Sequence, residues 1–330
     1  MAIDPGKDGD MKHGKTLLRT ALVTSWLVLL LACAPAVRQP PSPEASRTRA
    51  GMVVQGAHDS DGQAVARHLQ DRYDDTAADC RKNASDPNPL PAVLCSGILL
   101  RTTVRGNYDV WNPNPGSPLK YGVSFSWLRR DSAFGGLVFN YDNGFIILPH
   151  FFADSPSDGY TQLAVLCIFP FDADTLNRIG DKNDGCGQHG TTAGTGPCQA
   201  QKIETAAQWL AKFGAAANRY RDQCGFTLTA GTPGASLSFQ AQASIRTQLT
   251  QFFGIHNEVM VEKWAQNDAH IPLEAFFYDD RGAGLASARL NQWDFQAATR
   301  RWVPIIKVTM PTTVNGPAAF TYVVADQQIP

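Results

Sequence analysis

The stretch GVSFSWLRRD, residues 122–131, alternates apolar residues with small polar ones and then ends in a cluster of charge. Successive side chains of a strand point to opposite faces of the sheet. The apolar set from Val123 to Trp127 therefore shares one face, and Ser124 and Ser126 share the other. The pattern predicts a central strand whose apolar face enters the core and whose hydroxyl face is free for another role.

Similar apolar runs recur along the chain and surround a few helical segments. Helical spacing is found in residues 62–75, 205–222 and 238–254, and the last third of the chain returns to strands. The Asn143–Gly144 dipeptide, between two apolar runs, predicts a hairpin turn. Because strands and helices do not alternate regularly, the sequence predicts an α+β fold of mainly antiparallel sheets with a few helices, stabilised by disulfides.

The N-terminal region has the pattern of an exported protein. Residues 11–33 begin with basic residues and continue as a short apolar run, which is typical of a signal peptide. The run ends in Leu-Leu-Ala-Cys and resembles a lipobox, so Cys33 is the predicted lipidation site; a plain signal peptide cut near Ala36 is the alternative. Residues 1–10 are interpreted as a mis-assigned start or a cloning remnant, residues 34–60 as a proline-rich tether, and residues 61–330 as a single globular catalytic domain.

The other six cysteines of the seven predict three disulfides, because an even number in an exported chain is typical of a disulfide framework. Short loops favour Cys80–Cys95 and Cys186–Cys198, which leaves Cys167–Cys224. No CxxC or HxxxH pair occurs, so we expect no metal site.

Composition and missing motifs exclude several classes of protein. The formal net charge of -1 argues against a nucleic-acid partner. The chain has no GxSxG, HExxH, Walker or GxGxxG motif, and its histidines show no familiar pairing.

Cleavage of the nicotinamide–ribose bond of NAD+ requires little proton transfer. The leaving group is cationic before cleavage and neutral afterwards, so no acid has to protonate it. A carboxylate stabilises the developing oxocarbenium ion, and a guanidinium suits the pyrophosphate. NAD+ would be a substrate of such a site, and we expect no cofactor.

Six phrases carry a resemblance to a known family. They are LCSGILLRTT, WNPNPGSP, GVSFSWLRRD, NGFIILP, QWLAKF and PLEAFFYDD, and together they make residues 73–326 similar to the halovibrin family of exported bacterial proteins. The resemblance implies a secreted NAD+ glycohydrolase, a class first described as ADP-ribosyltransferases. A second similarity, to the Arg–Ser–Glu pattern of ADP-ribosyltransferases, implies a fold of that type.

That second similarity assigns roles to individual residues. Arg101 matches the strand-end arginine that holds pyrophosphate, and Ser124 and Ser126 match the serine pair. Glu274 matches the catalytic glutamate, and the alternatives are Glu258 and Glu262.

Two more features of the sequence concern the type of reaction and the residues that bind the substrate. Pro272 replaces the Glu or Gln that transferases carry two residues before the catalytic glutamate, which favours hydrolysis over transfer. Trp111 with Asn112, in a proline-rich loop, is either a rigid turn or a substrate-binding lid that stacks on nicotinamide.

A binding protein is the alternative interpretation. The abundant aromatic residues could give a lipid-anchored surface protein a platform for glycan or protein. Under the enzyme interpretation the protein is a toxin or host-directed enzyme with NAD+, and with an immunity protein or host target, as partners. In both cases we expect an outer-membrane lipoprotein or a secreted protein.

Overall fold

The computed structural model describes most of the chain from residue 61 onward. The described ranges are 61–77, 79–80, 90–103, 122–147, 163–173, 186, 197–215, 222–227, 233–263, 273–314 and 316–328. The described helices are α1 (61–74), α2 (Ala206–Phe213), α3 (Pro233–Gln248) and α4 (Leu285–Thr299). The described strands are β1 (Asp79–Cys80), β2 (Leu90–Pro91), β3 (Ile98–Thr102), β4 (Gly122–Leu128), β5 (Asn143–Ile147), β6 (Leu163–Phe169), β7 (Phe226–Thr227), β8 (Glu258–Lys263), β9 (Leu273–Asp279), β10 (Ile305–Thr309) and β11 (Ala319–Tyr322).

Nine of these strands form one mixed sheet in the order β11-β10-β9-β5-β3-β4-β8-β6-β7. Only β9 and β10 pair in parallel in this sheet as described, and α4 connects them; the other pairs are antiparallel. The short strands β1 and β2 pair separately. This arrangement confirms the predicted α+β class with a mostly antiparallel sheet.

The sheet has a core on each face because its strands alternate between the two. On one face Phe125, Trp127 and Phe276 pack with side chains of α2, α3 and α4. On the other face Leu100 and Ile146 pack against α1. The aromatic side of the serine strand is thus buried, as the alternation of residues 122–128 predicts.

Strand β4 is shared between two halves of the sheet. Its second half pairs with β3, through Ser126↔Leu100 and the two pairs that follow. Its first half pairs with β8, from Gly122↔Glu262 to Phe125↔Val259. Beyond Leu100 the ladder between β3 and β4 ends, although both strands continue. We call this opening between the end of β3 and the start of β4 the fork.

The structure contains three disulfides, and one of them has the predicted partners. Cys80–Cys95 is confirmed. The predicted pairs Cys186–Cys198 and Cys167–Cys224 are wrong, because the structure joins Cys167 to Cys186 and Cys198 to Cys224.

Loop length could not decide these pairings. Doubling the length of a loop costs only about 0.6 kcal/mol in closure entropy, so the pairing follows tertiary contacts. The backbone N–H of Cys198 donates to the carbonyl of Gly225, which brings Cys198 beside Cys224. The bridges indicate an oxidising compartment, extracellular or periplasmic.

Asn143 and Gly144 do not form the predicted hairpin turn. Both residues belong to β5, where they pair with Tyr278 and Phe277 of β9. A Cβ atom on Gly144 would lie 2.0 Å from the Arg101 carbonyl oxygen of the other neighbouring strand, β3. The glycine is therefore required by a close backbone approach within the sheet.

All described residues fall in the compact unit Thr48–Pro330. None of the described helices is both long enough and apolar enough to cross a membrane.

Candidate functional site

Arg101 lies at the fork and bridges it with its side chain. Its Nη1 donates to the backbone carbonyl of Ser124 at 2.6 Å, across the gap where the β3–β4 ladder has ended. The structure therefore brings the predicted arginine to the predicted serine strand, through a main-chain oxygen. A backbone carbonyl lies near the plane of the sheet, so this contact does not fix which face Arg101 occupies.

The Arg101 guanidinium is held in a dry environment. Burial lowers its pKa to about 10, and the negative charge of Glu258 partly opposes that change. Its Nε is buried and has no hydrogen-bond partner among the described residues. Of the two candidate glutamates whose side chains the structure describes, Glu258 is the one whose charge acts on Arg101.

Glu258 is a close neighbour of the serine pair. The β4–β8 ladder ends at Phe125↔Val259, and Ser126 and Glu258 are the residues that come next to this last pair on the two strands. The Glu258 side chain is buried, and its Oε2 accepts a hydrogen bond from the backbone N–H of Ala173 at 2.9 Å.

A buried histidine contacts the second serine. Nδ1 of His256 lies 3.1 Å from the Ser126 hydroxyl oxygen and 2.7 Å from the carbonyl oxygen of Asn257. Nε2 lies 3.5 Å from Oδ2 of Asp172, a half-exposed carboxylate. The side chains of Ser126, His256 and Asp172 thus form a series of contacts that leads from the buried face of β4 to a half-exposed carboxylate.

This Ser–His–Asp arrangement is not that of a nucleophilic triad. A carbonyl oxygen only accepts hydrogen bonds, so the 2.7 Å contact with Asn257 requires a proton on Nδ1 of His256. That nitrogen cannot then take the Ser126 proton, and Ser126 is 2% exposed. We interpret His256 as a group that holds Ser126 in place.

Asn257 holds the other end of the serine strand. Its amide Nδ2 donates to the carbonyl of Trp127, and its Oδ1 accepts from the Trp127 N–H, both at 2.8 Å. The side chain thus replaces the strand pairing that β8 no longer supplies at this point. The two ends of β4 are therefore fixed by side chains, Arg101 at one end and Asn257 at the other.

Glu274 lies elsewhere on the sheet. In the strand order, β5 and β3 separate β9 from β4, and neighbouring strands are about 4.8 Å apart. The Glu274 Oε1 contacts Nδ1 of His68 on α1 at 2.5 Å, and its Oε2 is buried without a partner among the described residues. The hydrogen bond to Glu274 raises the pKa of His68.

The predicted set is thus brought together only in part. Alternation along β3 places Arg101 on the face of Leu99, whereas Glu274 lies under α1 on the opposite face. Alternation along β4 places the Ser124 and Ser126 side chains on that opposite face as well, with Leu128, so Arg101 meets the serine strand through the Ser124 carbonyl and not through the hydroxyls. Arg101 and Glu274 therefore do not share a cleft in this structure, and the glutamate that follows the β4–β8 ladder next to Ser126 is Glu258.

Some predicted positions cannot be placed at the site. Glu262 pairs with Gly122 in the backbone register of β8. Cys33, Trp111 and Asn112 lie outside the described residues, as do residues 1–60. Residues 104–121, which contain Trp111 and Asn112, connect the two strands that form the fork.

The sequence did not reveal three of the contacts around these residues. His256 and Asp172 are distant in the chain from Ser126, and His68 is 206 residues from Glu274. No local spacing could have linked them, because each contact depends on strand order. In the part of the chain described here, no group of three or more His, Cys, Asp or Glu side chains could hold a metal ion.

Comparison with known proteins gives no further assignment. No protein-family model matches this chain, and no curated protein matches it. The functional interpretation therefore depends on the geometry and on the resemblance carried by the sequence phrases.

Proposed function

We propose that this protein is an exported NAD+ glycohydrolase whose substrate binds at the fork. The observation that carries the proposal is the partly buried Arg101 guanidinium, which bridges the fork beside the serine strand and interacts with the charge of Glu258. The ADP-ribosyltransferase-like arrangement expected from the Arg–Ser–Glu pattern belongs to this proposal. Glu258 takes the role of the carboxylate in place of Glu274.

Some of these residues would bind the substrate, and others would stabilise the charge that develops during the reaction. Arg101 would hold the pyrophosphate, whose negative charge replaces the water that burial has removed from the guanidinium. Residues 104–121, which connect the strands of the fork, would supply Trp111 and Asn112 to the nicotinamide ring. Ser126, held by His256, would orient the Glu258 carboxylate.

In the bond-breaking step the glycosidic C–N electron pair moves to the nicotinamide nitrogen, which thereby loses its positive charge. The cation that develops on the ribose is stabilised by the Glu258 carboxylate. A water molecule then bonds to the ribose carbon and releases one proton. The products are nicotinamide, ADP-ribose and a proton, and no external co-reactant is consumed.

The test is to measure nicotinamide release from NAD+ by the disulfide-intact chain and its variants. We expect Glu258→Gln to lower kcat by about 10²-fold or more, as for other groups that stabilise transition-state charge. Arg101→Gln should raise KM for NAD+. The matched controls are Glu274→Gln, three strands from β4, and Arg130→Gln, an exposed arginine paired with Asp74.

The controls should keep rates within about threefold of the parent chain, since neither removes a group from the fork. Absence of nicotinamide release from the folded, oxidised protein would refute the proposal. If Glu274→Gln abolishes activity and Glu258→Gln does not, NAD+ hydrolysis stands and the carboxylate is misassigned. Label from NAD+ retained on protein would indicate an ADP-ribosyltransferase.

Export by the lipobox is part of the same proposal. Cys33→Ser should release the protein from the membrane fraction if Cys33 carries a lipid, and should leave its location unchanged if the mature protein is secreted. Metabolic labelling with a fatty acid distinguishes the two outcomes.

One feature favours a binding protein as the second candidate. Leu290 and Trp293 on α4 are about half exposed, at 48% and 46%, and lie on one helical face. Exposed aromatic rings stack on sugars and on protein partners. This candidate would be supported if the chain does not hydrolyse NAD+ but binds a glycan or a protein, and if Trp293→Ala abolishes that binding.

A further inference from the structure

A second cationic group is buried away from the fork, on helix α3. The guanidinium of Arg246 donates to three backbone carbonyls: Nη1 to Pro170 at 2.7 Å, and Nη2 to Ala133 at 3.2 Å and Ile255 at 2.8 Å. It also lies over the rings of Phe134 and Phe171. The residue is only 6% exposed.

This buried charge has no carboxylate of its own. No ion pair of Arg246 with a described acidic residue occurs, and burial alone lowers its pKa to about 9. Carbonyl dipoles offset part of the charge, but a buried cation without a counter-charge remains costly. An anion beside it would remove that cost.

A narrow pocket opens beside Arg246. Its lining includes Ser132, Arg246, Thr247 and Asp131. Two polar atoms of these lining residues, Nε of Arg246 and Oγ of Ser132, are buried and have no hydrogen-bond partner in the described structure. Both can donate a hydrogen bond, so an anion beside them would meet donors and a positive charge.

The other polar residues of the lining are Asp131, Thr247 and Thr250, of which only Asp131 carries a negative charge. Both carboxylate oxygens of Asp131 accept hydrogen bonds from Arg129, at 2.6 and 2.7 Å, so its charge is already paired. The hydroxyl of Thr247 donates to the carbonyl of Ala243. The accessible space is about 10 Å³, which is about the space for one water molecule and too small for phosphate or a carboxylate.

We propose that this pocket is a chloride-binding site formed by Arg246 and Ser132. The ion would accept a hydrogen bond from the unpartnered Nε of Arg246. Through the contacts of Arg246 with their carbonyls, it would also hold in place the segments that contain Pro170 and Ile255. Those segments lead directly to Asp172 and His256 of the serine cluster. Bound chloride would therefore stabilise the part of the fold that holds Ser126.

The test is the thermal midpoint of the intact oxidised chain, measured in sodium chloride and in sodium gluconate at equal ionic strength. A site occupied only in the folded state should raise Tm by about 3 °C or more between low and physiological chloride, with a logarithmic dependence on concentration. Bromide should replace chloride and should be located by its anomalous signal beside Arg246.

The variant Ser132→Ala keeps the arginine and its carbonyl contacts, so the chain should still fold. It should lose most of the chloride-dependent rise in Tm. The matched control is Ser287→Ala, because Ser287 is also buried with an unpartnered hydroxyl but does not line this pocket.

Three outcomes would overturn the proposal. Equal Tm values in chloride and gluconate would show that the pocket holds only water. An unchanged chloride effect in Ser132→Ala, or its loss in Ser287→Ala, would place the binding elsewhere. The measurement does not involve NAD+, so its result is independent of the proposed enzymatic activity.

Discussion

At the scale of single residues, the clearest constraints are side chains and glycines that join distant segments. The buried Arg72 guanidinium binds the carbonyls of Val93, Leu94 and Gly97, and so fixes α1 to the segment before β3. His68, one turn earlier on the same helix, contacts Glu274 on β9. These contacts attach α1 to the sheet more specifically than its apolar face alone.

The His68–Glu274 contact predicts a pH dependence of stability. The hydrogen bond to Glu274 and its charge raise the pKa of His68, with a smaller contribution from Asp71, whereas burial and Arg72 lower it. A histidine whose folded pKa is raised contributes stability that is complete below its unfolded value of 6.5 and is lost as pH rises through the folded pKa. The free energy of unfolding should therefore fall as the pH rises above about 6.5 and through the raised pKa of His68.

Urea unfolding across that range measures the effect, which should be modest because the His68 ring is half exposed. In Glu274→Gln the decline should flatten. An identical decline in the variant would attribute the pH dependence to other groups.

Gly97 permits a close approach that no other residue would allow. Its φ is +67°, and a Cβ atom there would lie 2.1 Å from Nε1 of Trp127. We predict that Gly97→Ala lowers the free energy of unfolding by about 2–4 kcal/mol, because it adds backbone strain to a steric clash in the core. Gly254→Ala, where no atom lies within 4 Å of the added Cβ, is the control and should cost much less. Equal effects in urea unfolding would contradict this explanation.

At the scale of elements, the distinctive feature is a strand that belongs to two halves of one sheet. β4 pairs with β8 at its start and with β3 at its end. Arg101 and Asn257 supply side-chain hydrogen bonds at the places where those pairings stop. The hydroxyl pair is thereby held on a strand whose two ends are independently fixed.

Asn257→Ala tests that role directly. The change removes both hydrogen bonds to Trp127 and leaves two buried backbone groups unpaired, so we predict a loss of about 2–4 kcal/mol in the free energy of unfolding. Thr205→Ala provides the comparison, since it removes the exposed N-cap of α2 and should cost about 1 kcal/mol. A smaller loss for Asn257→Ala than for Thr205→Ala, measured by chemical denaturation, would show that β4 does not depend on this amide.

At the scale of the whole molecule, two of the three disulfides join segments near one edge of the sheet. Cys167 lies on β6 and Cys224 just before β7, at the end of the sheet opposite β11. Cys167, Cys198 and Cys224 are fully buried. This part of the fold therefore relies on covalent links as well as on its apolar core.

Reduction should accordingly destabilise the whole protein. Each bridge contributes about 2–4 kcal/mol by the loop-entropy estimate, so we predict that strong reductant abolishes cooperative folding at body temperature. Circular dichroism during thermal unfolding, with and without reductant, measures the change. Mass spectrometry of non-reduced peptides should find Cys167 linked to Cys186 and Cys198 linked to Cys224. Full cooperative unfolding in reductant would contradict the prediction.

The strands were more predictable than their neighbours in space. The alternation in residues 122–128 and the apolar runs around β6, β8, β9, β10 and β11 identified those strands correctly. Helix α4 escaped detection because it buries Ser287, Asn291 and Gln292 while exposing Leu290 and Trp293. Its polar and apolar residues therefore lack the usual helical periodicity, and the parallel β9–α4–β10 unit was missed with it.

The α+β class, the presence of disulfides and the two faces of the serine strand could be inferred from the amino-acid sequence, because each follows from composition or from short-range periodicity. The pairing of the cysteines, the Arg101 contact across the fork and the position of Glu258, not Glu274, next to the serine strand became visible only in the folded chain. Those facts depend on tertiary packing, which joins Cys167 to Cys186 over 19 positions and Cys198 to Cys224 over 26 positions, and which brings Arg101 to Ser124. A local pattern carries no record of such contacts, because the free-energy differences between alternative long-range pairings are small and are settled by packing of the whole sheet.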